Sequence, residues 1–143
     1  MSREPILGKR PPDPRDYTPI KWSDFLKIRR AAQIAADNIG YPVYLVGSAL
    51  KKDIPRDIDI TIRIPEADYL ARFGPIPKDQ SDYNAYFYNV WSKTFDQISS
   101  LHYCLIDTHR MDIKVFPDTW FANDDTQWCL AIPRKDAKGV THD

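Results

Sequence analysis

Residues 57–64 read Asp-Ile-Asp-Ile-Thr-Ile-Arg-Ile, a strict alternation of polar and apolar side chains. A period of two belongs to a β-strand, whose successive side chains point to opposite faces. The run therefore predicts a half-buried strand over about 56–64. Ile58, Ile60, Ile62 and Ile64 face a core, and Asp57, Asp59, Thr61 and Arg63 face away from it. Such a strand needs partners for its backbone, so the chain must build a sheet with one apolar face.

The polar face of that strand is unusual because Asp57 and Asp59 are two residues apart. Their roots lie about 6 to 7 Å from each other on one face. Two carboxylates this close repel unless a cation lies between them, which makes the pair a candidate metal site. A plain solvated sheet face is the alternative reading. Upstream, Val43-Tyr44-Leu45-Val46 predicts a short buried strand that ends at Gly47-Ser48. Glycine permits close backbone approach, and free N–H groups at a turn into a helix favour anions. Ser48 adds a hydroxyl, and Lys51, Lys52 and Arg56 bring positive charge to the same connection. Downstream, residues 111–116 alternate again and predict a strand with Asp112 on its polar face and Lys114 two residues along. If that strand lies beside the first, three carboxylates converge. Hard divalent cations such as Mg²⁺ bind through a few carboxylates, waters and substrate phosphates.

Around these strands the pattern is helical. Ser23 to Asn38 predicts a helix with Ser23 as N-cap and Phe25, Ile28, Ala32, Ala35 and Ile39 on its buried face. Gly40 and Pro42 stop it. A short helix over 66–73 follows Pro65, and a long one is expected from Ser81 to Ser99. The long helix carries the stripe Tyr83, Phe87, Val90, Trp91, Thr94 and Ile98. Aromatics at helical spacing read first as core, and second as a platform for stacking bases. Tyr103 to Ile106 is expected to be a strand joined to 111–116 by a short turn. After Pro117 the pattern fades, although Trp120-Phe121 and Trp128 to Ile132 can pack on the core.

The 143 residues correspond to one domain, with a core over about 22–118. Residues 1–20, with Pro5, Pro11, Pro12, Pro14 and Pro19, read as an extended arm, and 133–143 as a polar tail. Twenty basic and twenty acidic residues balance, which argues against attachment to nucleic acid by bulk charge alone. No stretch resembles a membrane span or a secretory signal, so a cytoplasmic protein without membrane contact is expected. Cys104 and Cys129 then read as reduced thiols, and their spacing to His102 and His109 fits no zinc template.

Gly47-Ser48, then Asp57-Ile58-Asp59-Ile60, then Met111-Asp112-Ile113-Lys114 resembles the signature of the nucleotidyltransferase superfamily typified by DNA polymerase beta. The resemblance covers about residues 24–117 and looks like a minimal member of that family. It implies an α+β fold, a small mixed, twisted sheet flanked by helices. It also implies Mg²⁺-dependent transfer of a nucleoside monophosphate from an NTP to an acceptor hydroxyl. By this resemblance Asp57 and Asp59 hold the metal of the triphosphate, and with Asp112 they hold a second one, Mg²⁺ or Mn²⁺. Gly47 and Ser48 contact the phosphates, with Lys51, Lys52, Arg56 and Lys114 as further charge. The acceptor stays open between an RNA end, a protein hydroxyl and a small molecule. Two other readings remain: a silent module of this fold acting through a protein partner, and a nucleotide pyrophosphokinase.

Overall fold

A computed structural model describes residues 22–46, 57–106, 110–121 and 127–135. Helix α1 spans Trp22–Ile39 and is followed by strand β1, Val43–Val46. Strand β2 is Asp57–Ile64 and helix α2 is Glu66–Phe73. A 3₁₀ turn, Gln80–Asp82, leads into α3, Tyr83–Thr94, and a one-turn helix α4, Ser99–His102. Strand β3, Arg110–Pro117, a 3₁₀ turn over Asp118–Phe121, and strand β4, Gln127–Ala131, complete the order.

The four strands form one mixed sheet in the order β3-β2-β1-β4. β1 pairs antiparallel with both β2 and β4, and β2 pairs parallel with β3. A parallel pair needs a long crossover, and α2, α3 and α4 lie on it. The alternation of β2 holds: Ile58, Ile60, Ile62 and Ile64 are all 0% exposed. Val43 and Leu45 of β1 stand beside Ile62 and Ile60, and Ile113 and Val115 of β3 continue the apolar face on the other side. Helix α1 covers this face with Phe25, Ile28, Ala32, Ala35 and Ile39, as its spacing predicts, and with Ala31 and Ala36 besides. Phe25 meets Trp128 of β4 edge to face at 6.2 Å. Gly40 takes a positive φ of 86° and donates its N–H to the Ala36 carbonyl at 2.8 Å, the αL stop that glycine permits. No helix among the described residues is long and apolar enough to cross a membrane.

The structure differs from the sequence expectations in five places. The helix starts at Trp22, so Ser23 lies inside its first turn and is not the cap. The expected long helix over 81–99 is broken after Thr94. The Thr94 hydroxyl donates to the Val90 carbonyl at 2.8 Å, and Gln97 N–H bonds the Thr94 carbonyl in a tighter i→i+3 turn. That rewinding keeps Val90, Thr94, Ile98 and Leu101 all buried. Residues 103–106 form no strand; β3 takes β2 as its parallel neighbour instead of a hairpin partner, and Tyr103 and Leu105 are exposed.

The core does not end at 118, because β4 contributes buried Trp128, Cys129, Leu130 and Ala131. A bulge between its pairings with Val43 and Tyr44 shifts the register, and both of its faces are covered. Finally, residues 133–135 belong to the fold. Pro133 is buried, Arg134 binds the Asp37 carboxylate through backbone N–H at 3.0 Å and through its guanidinium, and Gln33 donates to the Ile132 carbonyl at 3.0 Å. The arm over 1–20, the helical turn expected at 49–52 and the end of the tail lie outside the described residues.

Candidate functional site at the β2–β3 edge

The parallel register sets Asp59 directly beside Asp112, Asp57 beside Arg110, and Thr61 beside Lys114. Registered partners on neighbouring strands point to the same face and stand about 4.8 Å apart at the backbone. The local cause is the shared pattern of the two strands. Each places isoleucine, methionine or valine on the core side and a carboxylate on the other, so burying both apolar sets aligns both acids. Asp59 and Asp112 are half-buried. The Asp112 Oδ1 lies 3.5 Å from Lys114 Nζ, a pair open enough to solvent to be worth at most about 1 kcal/mol.

The face is not the plain solvated surface of the alternative reading. Thr61 is 3% exposed and Arg63 8%. The Arg63 guanidinium lies 4.2 Å over the Tyr44 ring and donates to the Gln127 side-chain oxygen. Cys129 is buried on the same side, and burial pushes its thiol up to about 11. The face is therefore sealed toward β4 and opens toward Asp59, Asp112 and Lys114.

The backbone of Asp57 is in β2; its side chain lies outside the described residues, as do Gly47, Ser48, Lys51, Lys52 and Arg56. Val46, the last residue of β1, pairs with Asp59, so the end of β1 lies beside the carboxylates. Among the described residues no group of three His, Cys, Asp or Glu side chains converges as a metal cage. Asp59 and Asp112 are two hard oxygen donors in register, and Asp57, two residues from Asp59, is the third acid the sequence offers. That donor set fits Mg²⁺ or Mn²⁺ and does not fit a soft metal.

A second feature adjoins the acids; the sequence offers its aromatic stripe as a candidate stacking platform but not the cleft itself. A cleft of about 390 Å³ opens between α3 and β3, walled by Tyr83, Phe87, Trp91, Phe116 and Trp120. The aromatic stripe of α3 is thus only partly core: Val90 and Thr94 are buried, but Trp91 is 42% exposed. A polar recess of about 360 Å³ between α4 and β3 is lined by His102, Cys104, Asp112 and Lys114. The two share Trp91, His102, Ile113 and Lys114 and so run together along β3. His102 stacks on Phe95 at 4.9 Å, and burial holds its imidazole below the ordinary histidine pKa. Its Nε2 is buried with no hydrogen-bond partner among the described residues. Its position depends on the break after Thr94, for which a local pattern carries no signal.

No family model matches the chain, and no curated protein or solved structure matches it.

Proposed function

We propose that the chain is a metal-dependent nucleotidyltransferase that moves a nucleoside monophosphate from an NTP to an acceptor hydroxyl and releases pyrophosphate. The observation that carries this reading is the registration of Asp59 with Asp112 on one half-buried sheet face. The Asp57, Gly47 and Ser48 pattern in the sequence supports it. Asp57, Asp59 and Asp112 would hold the Mg²⁺ or Mn²⁺ ions. When bound, such ions neutralise charge on the phosphates and lower the pKa of a hydroxyl nucleophile. Asp57 and Asp59 orient the triphosphate side of the site, and Asp112 sits at the acceptor side. Lys114 adds a mobile positive charge beside Asp112 and can meet a phosphate oxygen. Gly47, Ser48, Lys51, Lys52 and Arg56 supply donors for the β- and γ-phosphates.

The deciding comparison is wild type against Asp112→Asn, with labelled nucleotide incorporation and NTP binding measured side by side in Mg²⁺. The acceptors are an RNA end, a protein and a small polyol. Asp112→Asn should lose several orders of magnitude in kcat and keep NTP affinity within a few-fold, the pattern of an interaction made mainly in the transition state. Equal incorporation by both proteins removes Asp112 from the site. No incorporation by wild type with any NTP and acceptor class favours a binding module that works through a protein partner.

A further inference from the structure

We propose that the cleft between α3 and β3 binds a nucleobase, stacked on the aromatic wall. Three observations converge. The first is the wall. Trp91 and Trp120 are 42% and 43% exposed although both line a concave surface. Large aromatic side chains are normally covered by their own core, and indole faces open to a cleft are the usual support for a flat ring. Trp120 is held by Phe116 at 4.9 Å and Phe87 at 5.7 Å, and Trp91 by Phe95 at 4.9 Å, so both are braced in place.

The second observation is the size. A cleft of about 390 Å³ is at the lower end of small-molecule sites, which suits one base with its sugar. The third is the polar continuation. The cleft shares Trp91, His102, Ile113 and Lys114 with the recess that Asp112 also lines. A purely apolar ligand would leave that polar recess unused. A base seated in the cleft can carry its sugar into it.

This site rests on its own residues, and its link to catalysis rests on the nucleotidyltransferase reading. The base can belong to the incoming NTP or to the last nucleotide of an acceptor.

The test is tryptophan fluorescence of the full chain titrated with adenosine, guanosine, cytidine and uridine in chelator, so that no metal site contributes. At least one nucleoside should quench saturably, and ribose 5-phosphate should not. Trp91→Ala should weaken that nucleoside about tenfold, the loss of one base-stacking contact. Calorimetry reads the variant, since it has lost a reporter. Tyr88→Ala, whose ring lies 5.9 Å from Trp91 but outside the cleft, should leave affinity unchanged.

Absence of nucleoside binding by wild type, or equal affinity in Trp91→Ala, overturns the proposal. Binding of a hydrophobic dye without any nucleoside does so as well. Competition between the nucleoside and Mg²⁺–NTP assigns the cleft to the donor base, and simultaneous binding assigns it to the acceptor. Nucleoside binding without any Mg²⁺-dependent NTP binding leaves the cleft standing and removes the nucleotidyltransferase reading.

Discussion

Ile60 lies at the middle of the sheet, between Leu45 of β1 and Ile113 of β3, and no part of it reaches solvent. Truncation there leaves a cavity that the flanking strands cannot close. Ile60→Ala should cost about 2 to 5 kcal/mol of unfolding free energy in urea titration. Ile132→Ala, at an exposed position just past β4, should cost under about 1 kcal/mol. One strand position away from Ile60, the logic reverses. Asp59 and Asp112 stand in register, and in the proposed site a divalent cation offsets the repulsion between them. Millimolar Mg²⁺ should raise the melting temperature of wild type, because a ligand bound only by the folded chain stabilises it. Asp59→Asn should lose that increment. An equal rise in both proteins would place the ion elsewhere. The thiols differ in a way alkylation can read. Burial pushes Cys129 up to about 11 and raises Cys104 less, where Lys27 opposes the shift. Cys104 should react first with iodoacetamide at pH 8, and Cys129 only as fast as the chain unfolds.

At the scale of the element, α1 presses alanines against the sheet side. Ala32, Ala35 and Ala36 are 0% exposed, so the helix approaches closely and leaves no space for a longer side chain. Ala35→Leu should destabilise by about 1 to 3 kcal/mol, while Ile34→Ala on the outer face should change little. The same helix fastens the end of β4. Arg134 lowers the Asp37 pKa chiefly through its side-chain hydrogen bond, with burial opposing and its backbone N–H adding to the shift. A carboxyl whose pKa falls on folding stabilises the fold above the unfolded value, about 3.9. That contribution disappears as pH falls through the depressed value. Asp37→Asn should therefore melt below wild type at pH 7, and the gap should close as pH drops below about 3.9.

For the whole molecule, the decisive element is β4. It is the last described strand, yet it pairs with β1, brings Trp128 against Phe25 of α1 and buries Leu130. A chain ended at residue 118, the core limit that the sequence pattern suggests, loses those side chains and leaves β1 as an unprotected edge. Burial of one tryptophan alone is worth about 3 to 5 kcal/mol, a large part of the margin of a domain this size. The truncated chain should show no cooperative thermal transition by circular dichroism.

The sequence by itself determined the parts whose cause is local. The period-two run fixes β2 and its faces, because no other backbone puts four isoleucines on one side. Helix α2, with Pro65 before it and Gly74 after it, is also read directly, since both boundary residues act through their own dihedrals. The acids could be named, but not their convergence. Whether Asp112 stands beside Asp59 depends on the parallel pairing of β2 with β3, a contact made only after the crossover has packed. Strand β4 escaped because both its faces are buried, one by α1 and one by the Arg63 and Tyr44 layer, so its residues do not alternate. The break after Thr94 escaped because it is made by a side-chain hydrogen bond and by the need to bury Ile98 and Leu101 together. The cleft draws on both sides of that break, with Trp91 before it and His102 after it, and Trp91 stays 42% exposed. Local pattern determines what each segment wants to bury; only tertiary packing decides which faces are left over, and here the leftover face is aromatic.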